Sequence, residues 1–246
     1  MIKQLSGIFA GGCLFIAVYG VPPFTGGPNA EYLSEAARSE FKTEVRRQAN
    51  GLYEVSALTP MPGVTPEMVR WWFADYMQTT QHYKRWHPTA HVWMDWENKR
   101  AGDYVGASNL VHEYIGEDLA KLRIQFVPAE DILGEVQFRA DDVAVCARAG
   151  LLEKPFYGGA MCHVIRSTDG GAEMLSRFWL GQVAKRDGNE PIKSFEGLVG
   201  NTYLARMIGV AHADAVDLMT HATEEMQNLA TFLPELYAAE TSQTEP

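Results

Sequence analysis

Three observations predict an α+β fold. Between about 102 and 181, short segments of strand period recur at 103–115, 121–127, 142–149, 159–167 and 172–181, punctuated by Gly and Pro. No helix-length segment separates them, which favours antiparallel pairing, because parallel neighbours need crossovers of a dozen or more residues. After Pro191 the chain turns helical, and from Leu204 apolar or small residues fall at 204, 208, 211, 215, 218, 222, 229, 232 and 236. That three-four stepping marks one buried stripe, so a long C-terminal helix packs on the sheet.

The elements follow in chain order. Residues 1–20, MIKQLSGIFAGGCLFIAVYG, place Lys3 before an apolar run from Ile8 to Val18, a pattern shared by signal peptides and ordinary buried segments. Residues 21–29 (VPPFTGGPN) turn to Pro and Gly and read as a linker. Residues 1–30 are therefore set apart as leader and linker, and 31–246 as one domain. A helix rich in Glu, Lys, Arg and Ala is expected over 30–48, then a strand over 53–58 ending in the turn Thr59-Pro60-Met61-Pro62-Gly63. Thr65 is placed to cap a second helix, with Pro66 at its first position, where a missing N–H is harmless. Trp71, Trp72 and Phe73 in its body require burial.

Composition narrows the partners. With 246 residues, 46% of them hydrophobic, the chain can bury a sizeable core. A formal charge of −10 and a pI near 5.2 argue against nucleic acid or an anionic membrane as main partner and leave small molecules open. A homodimer is a further expectation. The cytoplasm is the expected compartment, or the exterior if 1–20 is cleaved. Of three cysteines, Cys13 lies in the leader, while Cys146 and Cys162 are either a pair or two buried thiols, with a spacing that matches no zinc motif.

The chemistry begins on the long helix. Its stripe calls for an apolar residue near 225, and the sequence places Glu225 there, between Ala222 and Leu229. A buried, unpaired carboxylate is strongly unfavourable, so it needs a cation, several donors or a raised pKa. His221 lies one turn before it on the same face. A lone pair at this spacing is common by chance. A second inward acid raises its weight: alternation puts Val105, Ala107, Asn109, Val111, Glu113 and Ile115 on one strand face. Two acids aimed at one interior repel unless a proton or a cation lies between them. His87 and His91 are spaced i, i+4, but Pro88 makes a regular helix through His87 unfavourable, so at most one ligates, and His91 is preferred. Two imidazoles and two carboxylates suit zinc first, then iron or manganese. His163 shares a strand face with Met161 and Ile165, as either a satisfied core histidine or a pocket acid, base or donor.

These residues sit in longer stretches: TPMPGVTPEMVRWWF (59–73), YKRWHPTAH (83–91), the YVG and HEYIG pieces (104–116), GGAEMLSRFWLG (170–181) and HATEEMQNLATFLPELY (221–237). Together, and in this order, they resemble the 2,4-diacetylphloroglucinol hydrolase family. The resemblance implies a helix-grip, Bet v 1-like fold. It also implies a zinc-dependent hydrolase that cleaves the carbon-carbon bond between an acyl group and a polyhydroxylated ring. By motif, His91, Glu113, His221 and Glu225 fall on its metal-ligand positions, and Tyr83 and His163 on positions that line the substrate pocket. Met94 stands near where family members offer an amide to a ring hydroxyl, and Phe178-Trp179 lacks a phenol. Both departures imply a less polar pocket. A non-catalytic helix-grip carrier of an aromatic or polyketide ligand, or a metal-dependent polyketide cyclase or lyase, are the alternatives.

Overall fold

A computed structural model describes residues 33–242, with strands β1 (Glu44–Arg47), β2 (Tyr53–Pro62), β3 (His91–Glu97), β4 (Ser108–Ile115), β5 (Asp118–Val127), β6 (Val143–Leu151), β7 (Phe156–Thr168), β8 (Gly171–Asp187) and β9 (Glu190–Ile192). All pairings are antiparallel in the order β1-β2-β8-β7-β6-β5-β4-β3, with β9 on β8. The helices are α1 (Glu35–Arg38), α2 (Pro66–Trp71), α3 (Thr80–Trp86), α4 (Glu130–Leu133), α5 (Phe195–Gly200), α6 (Tyr203–Gly209) and α7 (His212–Thr241). The 30-residue α7 packs on the sheet. This is the expected α+β arrangement in its helix-grip form. No helix among the described residues is long and apolar enough to cross a membrane.

The two sheet faces bury different sets. Toward α7 lie Val55, Met61, Phe126, Val145, Met161, Met174 and Phe178, meeting Ala222, Met226, Leu229 and Leu233 of the helix. The opposite face buries Val127, Val164, Leu175 and Trp179 under Leu33, Phe41, Ile132 and Leu133. Cys146 and Cys162, cross-strand neighbours on that second face, are joined by a disulfide. Thr65 caps α2 by accepting from the Met68 amide at 3.3 Å, and the helix runs on into a π turn over Trp72–Tyr76 that buries Trp72 and Phe73.

Five expectations are corrected. The strand over 53–58 does not end in a turn at Thr59 but continues as β2 to Pro62, paired with β8 along that stretch. The helix over 30–48 is α1 followed by strand β1, because a free edge of β2 is available and Arg46, opposite Glu54, pairs with its carboxylate at 2.6 Å; residues 30–32, with the leader and linker, lie outside the described residues. Strand 103–115 begins only at Ser108. β3 has no counterpart among the expected strands. The long helix starts at His212, since Val210 breaks away, and this leaves Leu204 and Ile208 at 68% and 79% exposed on α6, off the buried stripe.

The β7–β8 hairpin supplies one prediction. Gly171 holds a φ of +149°, and a Cβ there would sit 2.4 Å from the Met61 carbonyl oxygen and 2.5 Å from the Gly63 nitrogen. Backbone contacts cannot give way as a side chain can. Gly171→Ala is expected to lose about 1–3 kcal/mol from the backbone strain, and more from the clash, read as a lower urea midpoint.

Candidate metal centre

Local structure explains how the site is assembled. α3 ends at Trp86, His87 is its C-cap, and Pro88 prevents continuation, as the sequence predicts. The chain turns through Thr89 and Ala90, where the His91 amide donates to the His87 carbonyl at 2.9 Å, and His91 opens β3. In the β3–β4 register His91 lies opposite Glu113. His221 and Glu225, one turn apart on α7, complete the group from across the core.

All four side chains are buried. His91 Nε2 lies 3.8 Å from Glu113 Oε2 and 3.5 Å from Glu225 Oε2, while His221 Nε2 lies 4.0 and 3.9 Å from the same two oxygens. Each imidazole is oriented by its other nitrogen: His91 Nδ1 meets the Tyr83 carbonyl at 2.8 Å, and His221 Nδ1 the Tyr114 carbonyl at 3.0 Å. With Nδ1–H donating to the backbone, both Nε2 lone pairs face the carboxylates. His91 Nε2 is buried without a hydrogen-bond partner. An orphaned acceptor beside two acids is what a cation would satisfy. Four ligand atoms about 2.0–2.1 Å from one ion in a tetrahedron stand about 3.3–3.4 Å apart, a little less than the four imidazole-to-carboxylate distances here. His91, Glu113 and His221 have ligand atoms all within 4.8 Å of one another and could hold a metal ion, with Glu225 outside that trio but next to both imidazoles.

Electrostatics agree. Burial pushes the Glu225 carboxyl up to about 8, against the opposing pull of His221 and with a further push from Glu113. Burial lowers the His91 imidazole, partly offset by Glu113. The Tyr83 hydroxyl donates to Glu113 Oε2, and its ring stacks on His91 with centroids 3.6 Å apart. Its pKa is raised well above the ordinary phenol value, first by burial and then by the Glu113 charge.

A largely apolar cavity of about 260 Å³ opens beside this group, with Tyr83, Glu113, His163, His221 and Glu225 all on its wall. His163, on β7, meets Ser176 Oγ through Nδ1 at 2.7 Å and packs edge-on to Phe178 at 5.6 Å. The structure thus brings five of the six sequence-predicted residues to one cavity wall, while the sixth, His91, lies beside Glu113 and Glu225 but is not among the lining residues. Phe178 lines it, as expected, but Met94 is buried in the core and is not among the lining residues, so its apolar character does not reach the pocket. His87, passed over in favour of His91 on sequence grounds, is buried next to the centre, with Nε2 3.4 Å from Glu224 Oε2 and its ring 5.0 Å from that of His221. Asn109, which alternation puts on the inward face without a role, lines the cavity. The signal for it is an amide among apolar residues.

His163 supports a prediction about acid stability. Burial lowers its pKa to about 4, so the folded protein holds it neutral while the unfolded chain protonates near 6.5. The unfolded state binds the extra proton between these values. The resulting stability is full above about 6.5 and lost as pH falls through 4, on the order of 3 kcal/mol at 1.36 kcal/mol per pH step. His163→Gln is expected to move the acid-unfolding midpoint to lower pH, as followed by circular dichroism.

A long helix held against an antiparallel sheet, with buried histidines and carboxylates beside an apolar cavity, defines a helix-grip protein with a candidate metal centre. The chain belongs to the DAPG hydrolase family: the family model described as the DAPG hydrolase PhiG domain matches residues 29–238. The chain is similar to a 2,4-diacetylphloroglucinol hydrolase of Pseudomonas sp, 28% identical over 199 residues, covering 72% of this chain and 64% of that one. A second such hydrolase, of Pseudomonas protegens, is 27% identical over 72% of this chain and 61% of its own length. The phloretin hydrolase of Eubacterium ramulus is 28% identical over 78% of this chain and 70% of its own. The chain therefore spans less than two thirds of the length of the two Pseudomonas relatives. Among solved structures, that of Ara h 8.0201 aligns with a TM-score of 0.43 at 8% identity, over 77% of this chain and 98% of that chain.

Proposed function

We propose that this protein is a zinc-dependent hydrolase that cleaves the carbon-carbon bond between an acyl group and a phenolic or β-diketone-type ring. The observation that carries this reading is the convergence of His91, Glu113, His221 and Glu225 beside a cavity whose wall also carries Tyr83 and His163. The named activities of the relatives, hydrolysis of 2,4-diacetylphloroglucinol and of phloretin, support the reaction class.

His91, Glu113, His221 and Glu225 would hold the ion, a mixed nitrogen and oxygen set that suits zinc. Bound there, zinc supplies Lewis-acid polarisation of a carbonyl and lowers the pKa of water toward neutrality. The protein's part is positioning and proton movement. The water oxygen bonds to the acyl carbon, the acyl-ring bond breaks, and its electron pair passes to the ring carbon, which takes up a proton. The products are a carboxylic acid and the deacylated ring. Such a carbon leaves readily when the ring is in its keto form, because the pair is then delocalised as an enolate. Tyr83 and His163 hold the ring oxygen and pass protons, which requires hydrogen-bond reach. His163, neutral near pH 7, can donate or accept. Glu113 or Glu225 could carry a proton if its hold on the metal loosens.

Metal analysis and product analysis test this together. The purified protein is expected to hold one zinc per chain and to release a carboxylic acid from acylated phenols. Chelation should abolish turnover, and added zinc should restore it. Turnover that persists after complete chelation would sink the proposal. Ligand binding that survives chelation, with no product from any acylated phenol or β-diketone, would identify a carrier instead.

A further inference from the structure

Apart from the residues of the centre, Tyr83, His163 and the indole of Trp86, the remaining polar side chain on the cavity wall is Asn109. It is 3% exposed, and its Oδ1 has no hydrogen-bond partner. A buried amide oxygen left unpaired is destabilising, and an apolar residue of the same shape would avoid the penalty. Nothing in the fold uses this oxygen. Asn109 lies on the same strand face as Glu113, four residues earlier on β4, which separates the two by about 13 Å along the strand.

The space before it is kept open by the rung it belongs to. Asn109 pairs with Ile124, Ile124 with Ala149, Ala149 with Gly159, and Gly159 with Leu180, and all five line the cavity. The middle of that floor is one methyl group and one hydrogen. A Cβ on Gly159 would come within 2.6 Å of the Trp179 carbonyl oxygen, so the floor is held flat by backbone packing.

We infer that Asn109 is a specificity-determining residue at the end of the cavity remote from the metal centre, reading a substrate hydroxyl. An amide both donates and accepts, as a hydroxyl does, and carries no charge that would call for an ionised partner. The inference rests on the hydrolase reading and narrows its substrate: an aryl ketone with a hydroxyl on the order of 10 Å from the metal-facing carboxylates. That hydroxyl belongs either to the phenolic ring, opposite the acyl group, or to the far end of the acyl arm.

Two pairs of acylated phenols test it with the zinc-loaded protein. One pair differs only in a ring hydroxyl para to the acyl group, the other only in a terminal hydroxyl on the acyl arm. Asn109→Leu is expected to lower kcat/KM for the hydroxyl-bearing member of one pair on the order of tenfold or more, mainly through KM. Its deoxy partner should change by less than about twofold. Which pair responds says where the hydroxyl sits. An equal loss on both members of both pairs, or no loss, overturns the inference. Removing an unpaired amide should also leave the thermal midpoint unchanged or raised. A lowered midpoint in both Asn109→Leu and Asn109→Ala marks a structural role and overturns it too. If the wild type cleaves none of the four ketones, the hydrolase reading fails separately. Calorimetric titration of the same four compounds then applies the same criterion to binding.

Discussion

Glu225→Gln is expected to lose its metal and its turnover together. The substitution keeps the shape of the side chain and removes only the charge, from a carboxyl whose oxygen lies 3.5 Å from His91 Nε2 and 3.9 Å from His221 Nε2. Residues that merely orient metal ligands are worth about 10–100-fold in affinity or activity. Loss of a ligand charge should exceed the upper end of that range, with metal analysis falling well below one ion per chain. Stability should move the opposite way. The Glu225 carboxyl has a pKa of about 8 when folded without metal, and near 4.5 as a free side chain. The metal-free folded state therefore binds more protons than the unfolded state between those values. Its stability falls as pH rises from 4.5 to 8 and is flat above. An uncharged amide at this position abolishes that decline, so the metal-free variant should be more stable than the metal-free wild type at pH 8, and similar to it near pH 4.5. Full turnover with unchanged metal content would rule out the role given to Glu225.

Tyr83→Phe should separate catalysis from metal retention. The Tyr83 hydroxyl donates to Glu113 Oε2, its ring stacks on His91, and its carbonyl accepts from His91 Nδ1. Phenylalanine keeps the ring and the carbonyl, so His91 stays oriented. Only the hydroxyl is lost. A proton-transferring or ring-holding group contributes about 10²–10⁴-fold, and a fall of that size in kcat is expected while zinc stays near one per chain. If zinc falls in proportion to activity, Tyr83 acts by positioning Glu113 and has no direct role in the chemistry.

The long helix shows how far a periodic sequence can be read. Its stripe from Ala215 to Leu236 is local information, because side chains three and four apart share a face in any helix. Glu225 is conspicuous because it interrupts that stripe. The strand face carrying Asn109, Val111 and Glu113 is legible for the same reason at period two. The segment 44–47 is not, since Glu, Val and Arg suit a helix or an edge strand, and the choice is made by the unpaired edge of β2. Leu204 and Ile208 likewise fit the helical period yet point to solvent, because the chain turns at Val210 and they belong to the separate α6.

The sequence by itself determined the α+β class, the inward acids and the stretches shared with a hydrolase family, all of which depend on neighbours along the chain or on runs of residues in order. The convergence of the site was decided only in three dimensions. His91 and Glu113 meet because the β3–β4 register aligns them, and His221 reaches them because α7 crosses that end of the sheet. Met94 was excluded from the cavity and Asn109 admitted to it by the same packing. A metal centre needs atoms within a few ångströms of one another, and only the fold sets distances between residues a hundred positions apart.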